Sequence, residues 1–407
     1  TADPGPAVSG VGYFTDTSGS AFNVTLPSSP SAGAVIAVAD YANNWGTNAV
    51  TILRNGSNIE GDASDFICNQ SGSTITFVYV DATKGWVCTN SGNSDQAFGE
   101  TFIQATGGTI TECGNCKIHT FTGPGTFTVS KVADSADNNI VSYIVVAGGG
   151  GGGGQEGGGG GGAGGFREAK SPSTPYTASP LDGYPSAPNR ITVTATGFPI
   201  AVGGGGTGGS VGSTPQRGVT GSNSTFSTII AAGGGGGGTH PTPGCGAGLS
   251  GGSGGGGGAR FGFAGGAGNT PPVTPSQGNN GGNSAPSPTP STLDSGGGGG
   301  GATAVGANAA DNQGGAGGAG ATTSINGSPV AYAGGGGGGI DPGSPNAPSG
   351  NGAGGSGGGG AGGTGGSPGT SGPNNKGGGG GGSGTNSPGV KGGGGGSGIV
   401  IIRYKFQ

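Results

Sequence analysis

The chain has 407 residues, of which 114 are glycine, 27 proline and five cysteine, and its formal charge is −5. Glycine at that level, against a usual share of about 7%, leaves two options: a disordered low-complexity chain, or a packing that only glycine permits. No dense basic run supplies the electrostatic footprint of a nucleic-acid binder, and no apolar run approaches the roughly 20 residues of a membrane-spanning helix.

Glycine and charge both divide the chain near residue 147. Residues 1–147 hold 17 glycines and a net charge of −8, whereas residues 148–407 hold 97 glycines and +3. The start at Thr1 has no signal-peptide pattern and the chain has no methionine. It reads as a processed product or as the downstream part of something longer. Residues 1–6 (TADPGP) read as a linker entering a domain. Five cysteines are an odd number, so the chain is not a disulfide scaffold.

Residues 7–90 read as short strands. The segment 21–26 (AFNVTL) alternates and stops at Pro27. The run 34–39 (AVIAVA) is continuously apolar, as in a strand buried on both faces. Residues 49–53 (AVTIL) end at Asn55-Gly56, a tight hairpin signal. Residues 74–80 (TITFVYV) alternate strongly and turn at Lys84-Gly85 into Trp86-Val87-Cys88. Strands at this spacing imply an all-β sandwich or barrel. A second β unit follows. Residues 117–122 (KIHTFT) and 126–130 (TFTVS) flank Gly123-Pro124-Gly125, which reads as a hairpin loop. The strand 140–146 (IVSYIVV) leads directly into glycine.

Nearly pure glycine runs occupy residues 148–154, 157–162, 233–238, 254–258, 296–301, 334–339, 377–382 and 392–396. Apolar segments feed several glycine stretches: 199–202 (PIAV) before 203–206, 227–232 (STIIAA) before 233–238 and 329–333 (PVAYA) before 334–339. The terminal 398–406 (GIVIIRYKF) reads as a strand whose partner is 140–146. A linker has no need of such strands. The alternative to disorder is a polyproline-II-like helix of glycine, with three residues per turn and a rise of about 3.1 Å, so six residues span roughly 19 Å. Such helices lack internal hydrogen bonds and must bond to one another laterally when buried. Each bond nets only about 1 kcal/mol, so many must form together to offset the entropy of ordering glycine. The expected fold is all-β: a small N-terminal β sandwich or barrel (1–98), a β unit (99–147), a bundle of polyglycine-II-like helices with variable loops (148–398) and a closing strand (399–407).

These residues carry a resemblance. The segments 117–129 (KIHTFTGPGTFTV), 143–150 (YIVVAGGG), 222–238 (SNSTFSTIIAAGGGGGG) and 394–404 (GGGSGIVIIRY) resemble the glycine-rich distal domains of bacteriophage tail fibres and adhesins, common in marine phages. Residues 12–26, 37–42 and 78–86 are similar to small β domains of fibre and virion proteins. The resemblance implies a virion-surface receptor-binding protein, a homotrimer that meets other tail proteins and a host glycan or outer-membrane protein. Capsid decoration and a secreted structural or ice-binding protein are the alternatives.

No catalytic constellation stands out, so neither an enzyme nor a cofactor is expected. The runs are not phosphate loops, because none is followed by Gly-Lys-Ser/Thr. The five Asn-X-Ser/Thr matches are chance in a chain so rich in Asn and Ser. Cys113, Cys116 and His119 look like half of a zinc site, which needs four ligands; buried thiols or a local disulfide are the other readings. Cys68 and Cys88 lie on neighbouring expected strands and either pair or are buried thiols. Glycine has no side chain, so specificity must come from the interrupting loops. The candidates for receptor binding are Phe166, Arg167, Tyr176 and Tyr184 in 166–188, His240 in 239–249, the cluster Arg260, Phe261 and Phe263, and Ile340 and Asp341 in the Pro-punctuated 340–349. Aromatics with arginine among small polar residues suit such recognition; packing between helices is the structural alternative.

Overall fold

The computed structural model describes residues 5–89, 101–210, 216–240, 244–286, 294–341, 350–384 and 390–407. Residues 1–4 of the expected linker, and 241–243, 287–293 and 342–349 of the expected loops, lie outside the described residues. The chain divides into two compact units, residues 1–101 and 102–407. The described structure is almost entirely β, and its one helical turn is a short 3-10 segment, Ala136–Asn139.

The first unit contains β1 (Val11–Thr15), β2 (Phe22–Thr25), β3 (Val35–Asp40), β4 (Val50–Leu53), β5 (Phe66–Cys68), β6 (Thr74–Asp81) and β7 (Gly85–Cys88). They form a four-stranded sheet, β1-β3-β6-β7, and a three-stranded sheet, β2-β4-β5. Trp45, Trp86, Phe77, Ile36, Val38, Val24, Leu26 and Ile52 fill one shared core at 0% exposure. The β6–β7 hairpin forms as the sequence reads. Two local expectations change. β3 is not buried on both faces: Ile36 and Val38 point into the core while Val35 is 36% exposed, the period-two alternation of a half-buried strand. Asn55-Gly56 does make a turn, with φ of 47° and 94°, and Ser57 N–H donates to Arg54 O at 3.1 Å. The chain then wanders before β5 pairs with β4, so the turn does not close a tight hairpin.

The second unit opens with β8 (Gln104–Thr106), β9 (Thr109–Cys113), β10 (Cys116–Phe121), β11 (Gly125–Lys131), β12 (Ile140–Val146), β13 (Phe166–Ala169), β14 (Ile191–Thr192), β15 (Gly197–Ala201), β16 (Ser224–Phe226) and β17 (Ile229–Ala231). Short pieces follow: β18 (Asp294–Ser295), β19 (Ala321–Thr323), β20 (Val330–Tyr332) and β21 (Ile340–Asp341), before the terminal β22 (Ile399–Lys405). One sheet runs β13-β12-β22-β10-β9 and another β17-β16-β15-β11-β8. The expected hairpin across Gly123-Pro124-Gly125 does not form. β10 pairs with β9 and β22, and β11 with β15 and β8, so this turn carries the chain from one sheet to the other. β22 does pair with β12, antiparallel, from Ser142↔Arg403 to Val146↔Ile399.

The β12–β22 pair is buried on both faces. Val141, Tyr143, Val145, Val400, Ile402 and Tyr404 join a core with Phe127, Ile200 and Phe226 of the other sheet. Ile144, Val146, Ile399 and Ile401 join a second cluster with Phe166, Ala302, Tyr332 and Ala333. Burying a large apolar side chain is worth about 1.5–3 kcal/mol, so this sheet is the hydrophobic base from which the glycine segments depart.

Those segments, called rods below, bond sideways. Along 148–154, Gly148 and Gly151 donate to Ser222 O and Val219 O; Gly149 and Gly152 donate to Gly396 O and Gly393 O; Gly150 and Gly153 donate to Gly162 O and Gly159 O. The carbonyls of the same rod accept from Gly206 and Gly209, from Gly234 and Gly237, and from Gly380 and Ser383. The partner changes at each residue and returns at the third, so the rod bonds to six neighbours. Along this rod donation goes to antiparallel segments and acceptance comes from parallel ones. The returning rod 157–165 also has six neighbours, but it donates to the antiparallel 232–238 and 377–380 and the parallel 297–300, and it accepts from 253–256, 336–339 and 150–153, all antiparallel. The rods replace an apolar core with a lattice of backbone hydrogen bonds, which satisfies the buried peptide groups.

Candidate functional site

The rods have two ends, and the sequence places different chemistry at each. β12, β15, β17 and β20 deliver the chain outward at 148, 203, 233 and 334, and β13 and β22 receive it back at 166 and 399. That is the sandwich end. At the distal end the rods reverse, and there glycine gives way to other residues.

Gln155-Glu156 makes the distal turn between the two central rods, with Gln155 and Gly157 at φ of 64° and 57°. The outgoing rod 233–238 ends in Thr239-His240, and the outgoing rod 254–258 ends in Ala259-Arg260. Asp294 precedes the returning rod 296–301, and β18 pairs with β21 so that Asp294 stands opposite Asp341. The Thr239 hydroxyl donates to Gly154 O, and the Ser383 hydroxyl donates to Gln155 O at 2.6 Å. These contacts hold the rod ends level.

Four side chains meet in this layer. His240 Nδ1 lies 3.2 Å from Glu156 Oε2, and Arg260 Nη2 lies 3.3 Å from the same oxygen and 2.6 Å from Asp294 Oδ2. His240 and Asp294 are 2% and 3% exposed. The adjacent His240, helped by the Arg260 charge, holds the Glu156 carboxyl below its ordinary value. The hydrogen bond to Asp294 holds the Arg260 guanidinium above its ordinary value, and the charges of Glu156 and Asp341 act in the same direction. Glu156, His240 and Asp294 offer donor atoms that all lie within 4.8 Å of one another, a set able to hold a metal ion.

The turn beyond Arg260 is strained. Arg260, Phe261 and Gly262 have φ of 63°, 57° and 62°. Two of these residues carry side chains, and the left-handed region disfavours a bulky one. Phe261 is 66% exposed. Its ring meets Phe263 edge-to-face at 5.8 Å, and the Phe263 ring covers Gly246. An exposed ring on a strained turn beside a charged cluster suits contact with a partner.

The remaining sequence candidates lie elsewhere. Phe166 is 1% exposed and paired in β13 with Val146. Arg167 is buried and donates to Asn189 Oδ1 at 2.5 Å. Tyr176 packs under the β12–β22 sheet, and Tyr184 packs against the sandwich core. All four belong to the sandwich end. Ile340 is at the distal end but fully buried, whereas Asp341 is partly exposed. The structure therefore brings together His240, Arg260, Phe261, Phe263 and Asp341, and separates them from Phe166, Arg167, Tyr176 and Tyr184.

Cys113, Cys116 and His119 do not converge. Cys113 and Cys116 face each other across the β9–β10 turn, while His119 lies three residues along β10, on the opposite face from Cys116. His119 Nδ1 is 2.7 Å from Gly107 O and Nε2 is 3.1 Å from the Tyr404 hydroxyl. Its ring meets Phe127 edge-to-face at 5.0 Å. None of the five cysteines forms a disulfide, and Cys68 and Cys116 are buried.

Residues 120–405 match the family described as "Glycine-rich domain". The chain belongs to this glycine-rich domain family. The matched range begins at the end of β10 and closes with β22, so it takes in the rods and the strands of both sheets other than β8, β9 and most of β10. No curated protein matches the chain.

Within the glycine-rich domain, sequence reasoning missed Glu156 and Asp294 as site residues. Glu156 carried a signal, since it interrupts the longest glycine stretch. Asp294 stands two positions before a run, while His240 and Arg260 stand two positions after theirs. Residues flanking the distal ends of successive rods must meet once the rods alternate in direction, and that rule would have found all four.

Proposed function

We propose that the chain is a receptor-binding protein of a bacteriophage, a tail fibre or adhesin at the virion surface, that recognises the host cell through its distal layer. The rods act in this reading as polyglycine-II helices. They form a stiff, chemically silent shaft that carries a few side chains about 20 Å from the sandwich. The carrying observation is the placement of Phe261 and Phe263, with Arg260 and Asp341, where the rods turn back. The resemblance to phage fibre tips supplies the class of partner, a host glycan or outer-membrane protein, and the homotrimeric assembly. The activity is binding and not catalysis.

The experiment is competition. Purified protein should bind the bacteria to which the parent phage adsorbs and should block that adsorption, and the double variant Phe261→Ala, Phe263→Ala should do so at least tenfold less well while melting like the wild type. Failure of the wild-type protein to bind those cells sinks the reading. Full binding by the double variant removes the distal aromatics from it.

A further inference from the structure

We propose that Glu156, His240 and Asp294 form a binding site for a divalent transition-metal ion of the zinc class, which ties the distal ends of three rod systems together. The proposal rests on these side chains and not on the receptor reading above.

The donor set is the first argument. One imidazole with two carboxylates suits zinc, manganese, iron or cobalt and not the all-oxygen shells of calcium and magnesium. The spacing is the second. Donors at about 2.0–2.2 Å from a tetrahedral ion stand about 3.3 Å apart, and His240 Nδ1 is 3.2 Å from Glu156 Oε2. The third donor lies within the same 4.8 Å cluster, so an ion requires a contraction of at most about 1.5 Å.

Unmet valence is the third argument. Both ring nitrogens of His240 and Asp294 Oδ1 are buried without hydrogen-bond partners among the described residues, and so is the neighbouring Ser295 hydroxyl. Buried polar atoms are normally satisfied, and such exceptions point to an absent ligand. Charge is the fourth: the two carboxylates of Glu156 and Asp294 balance a divalent ion once the Arg260 guanidinium that bridges them has moved out. Arg260 Nη2 now stands between Glu156 and Asp294. Arg260 is 22% exposed, which gives it a path to solvent when the ion enters. It acts as the resident cation that the metal displaces.

The ion would join elements distant in sequence. Glu156 caps the central rod pair, His240 ends the rod 233–238 and Asp294 begins the rod 296–301. A cross-link at the rod ends opposes fraying there.

The test uses the full chain, stripped with a chelator and dialysed against Zn²⁺ alone. Elemental analysis should show uptake of about one equivalent per chain, as expected for a built site. Co²⁺ in place of Zn²⁺ should give ligand-field bands without a thiolate-to-metal charge-transfer band. His240→Gln and Asp294→Asn should each weaken uptake by more than the roughly tenfold that loss of a supporting residue costs. Arg260→Gln should strengthen uptake, because the competing cation is gone, and His119→Gln should leave it unchanged. Absence of stoichiometric uptake by the wild type overturns the proposal. So does a thiolate band, or uptake unchanged in both ligand variants. If those variants fail to fold, NMR of the wild-type Co²⁺ complex decides: a hyperfine-shifted imidazole retained in His119→Gln supports the site, and no shifted imidazole overturns it.

Discussion

Gly204 carries the carbonyl that a Cβ at Gly148 would strike, whereas a Cβ at Gly204 itself would meet nothing within 4 Å. The two glycines belong to neighbouring rods, and the relationship runs one way. Gly148 lies inside the lattice, while Gly204 faces out. A backbone carbonyl cannot rotate aside as a side chain can. Gly148→Ala should therefore destabilise the domain by about 3 kcal/mol, the upper part of the usual overpacking range. Gly204→Ala should be neutral or stabilise by about 0.4–1 kcal/mol, because alanine restricts the unfolded chain. Thermal or denaturant unfolding of the two variants checks this, and equal effects would be incompatible with the lattice described above.

Phe261 makes the opposite case, a side chain where glycine would be easier. Its φ of 57° places a bulky residue in a region that costs of order 1 kcal/mol or more for non-glycine residues, and its ring is largely in solvent. Phe261→Gly should raise stability by about 0.5–1 kcal/mol if relief of strain outweighs the greater freedom of the unfolded chain. The same variant should bind host cells less well. A gain in melting temperature with a loss of adsorption would identify Phe261 as retained for contact; unchanged adsorption would reduce it to a strained turn residue.

Much of this architecture was legible in the chain itself. The pairing of 140–146 with the terminal strand follows from two hydrophobic strands bracketing the glycine runs, and the all-β class follows from strand spacing. The Gly123-Pro124-Gly125 turn was misread because a hairpin and a sheet-to-sheet crossover share one local signal: two alternating strands around glycine and proline. Only the partners β15 and β22, far along the chain, decide between them. The candidate site was half legible for a related reason. His240 and Arg260 interrupt glycine visibly, but Glu156 and Asp294 become their partners only through the alternation of rod direction. Tyr176 and Tyr184 looked equivalent to Phe261 and Phe263 because aromatics in loops carry the same composition at either end of a rod.

The Glu156 carboxyl is held below its ordinary value, first by the adjacent His240 and then by the Arg260 charge. The group binds its proton more weakly folded than unfolded. Its stabilising contribution is therefore present above the unfolded value, near 4.5, and is lost as pH falls through the lower folded value. Measured in chelator, so that no ion contributes, wild-type stability should fall more steeply between about pH 5 and pH 3 than that of Glu156→Gln. Parallel pH profiles for the two proteins would mean that the His240–Glu156 contact does not bias the carboxyl in solution.

Tyr176 lies under the β12–β22 sheet, with the Arg403 guanidinium 5.5 Å and the Lys170 ammonium 5.7 Å from its ring centre. Burial pushes its phenol well above the ordinary range. Tyr176→Ala should cost about 3 kcal/mol, as for other large-to-small changes at packed aromatic sites. Tyr184, packed against the sandwich core, should also lower stability when truncated. Neither variant should alter adsorption at temperatures where it remains folded, since both residues belong to the sandwich end. Cell binding measured beside unfolding separates the two ends of the shaft. Loss of binding by Tyr176→Ala at an unchanged melting temperature would move the recognition surface from the distal layer to the sandwich; a lowered melting temperature with full binding keeps it where the rods turn back.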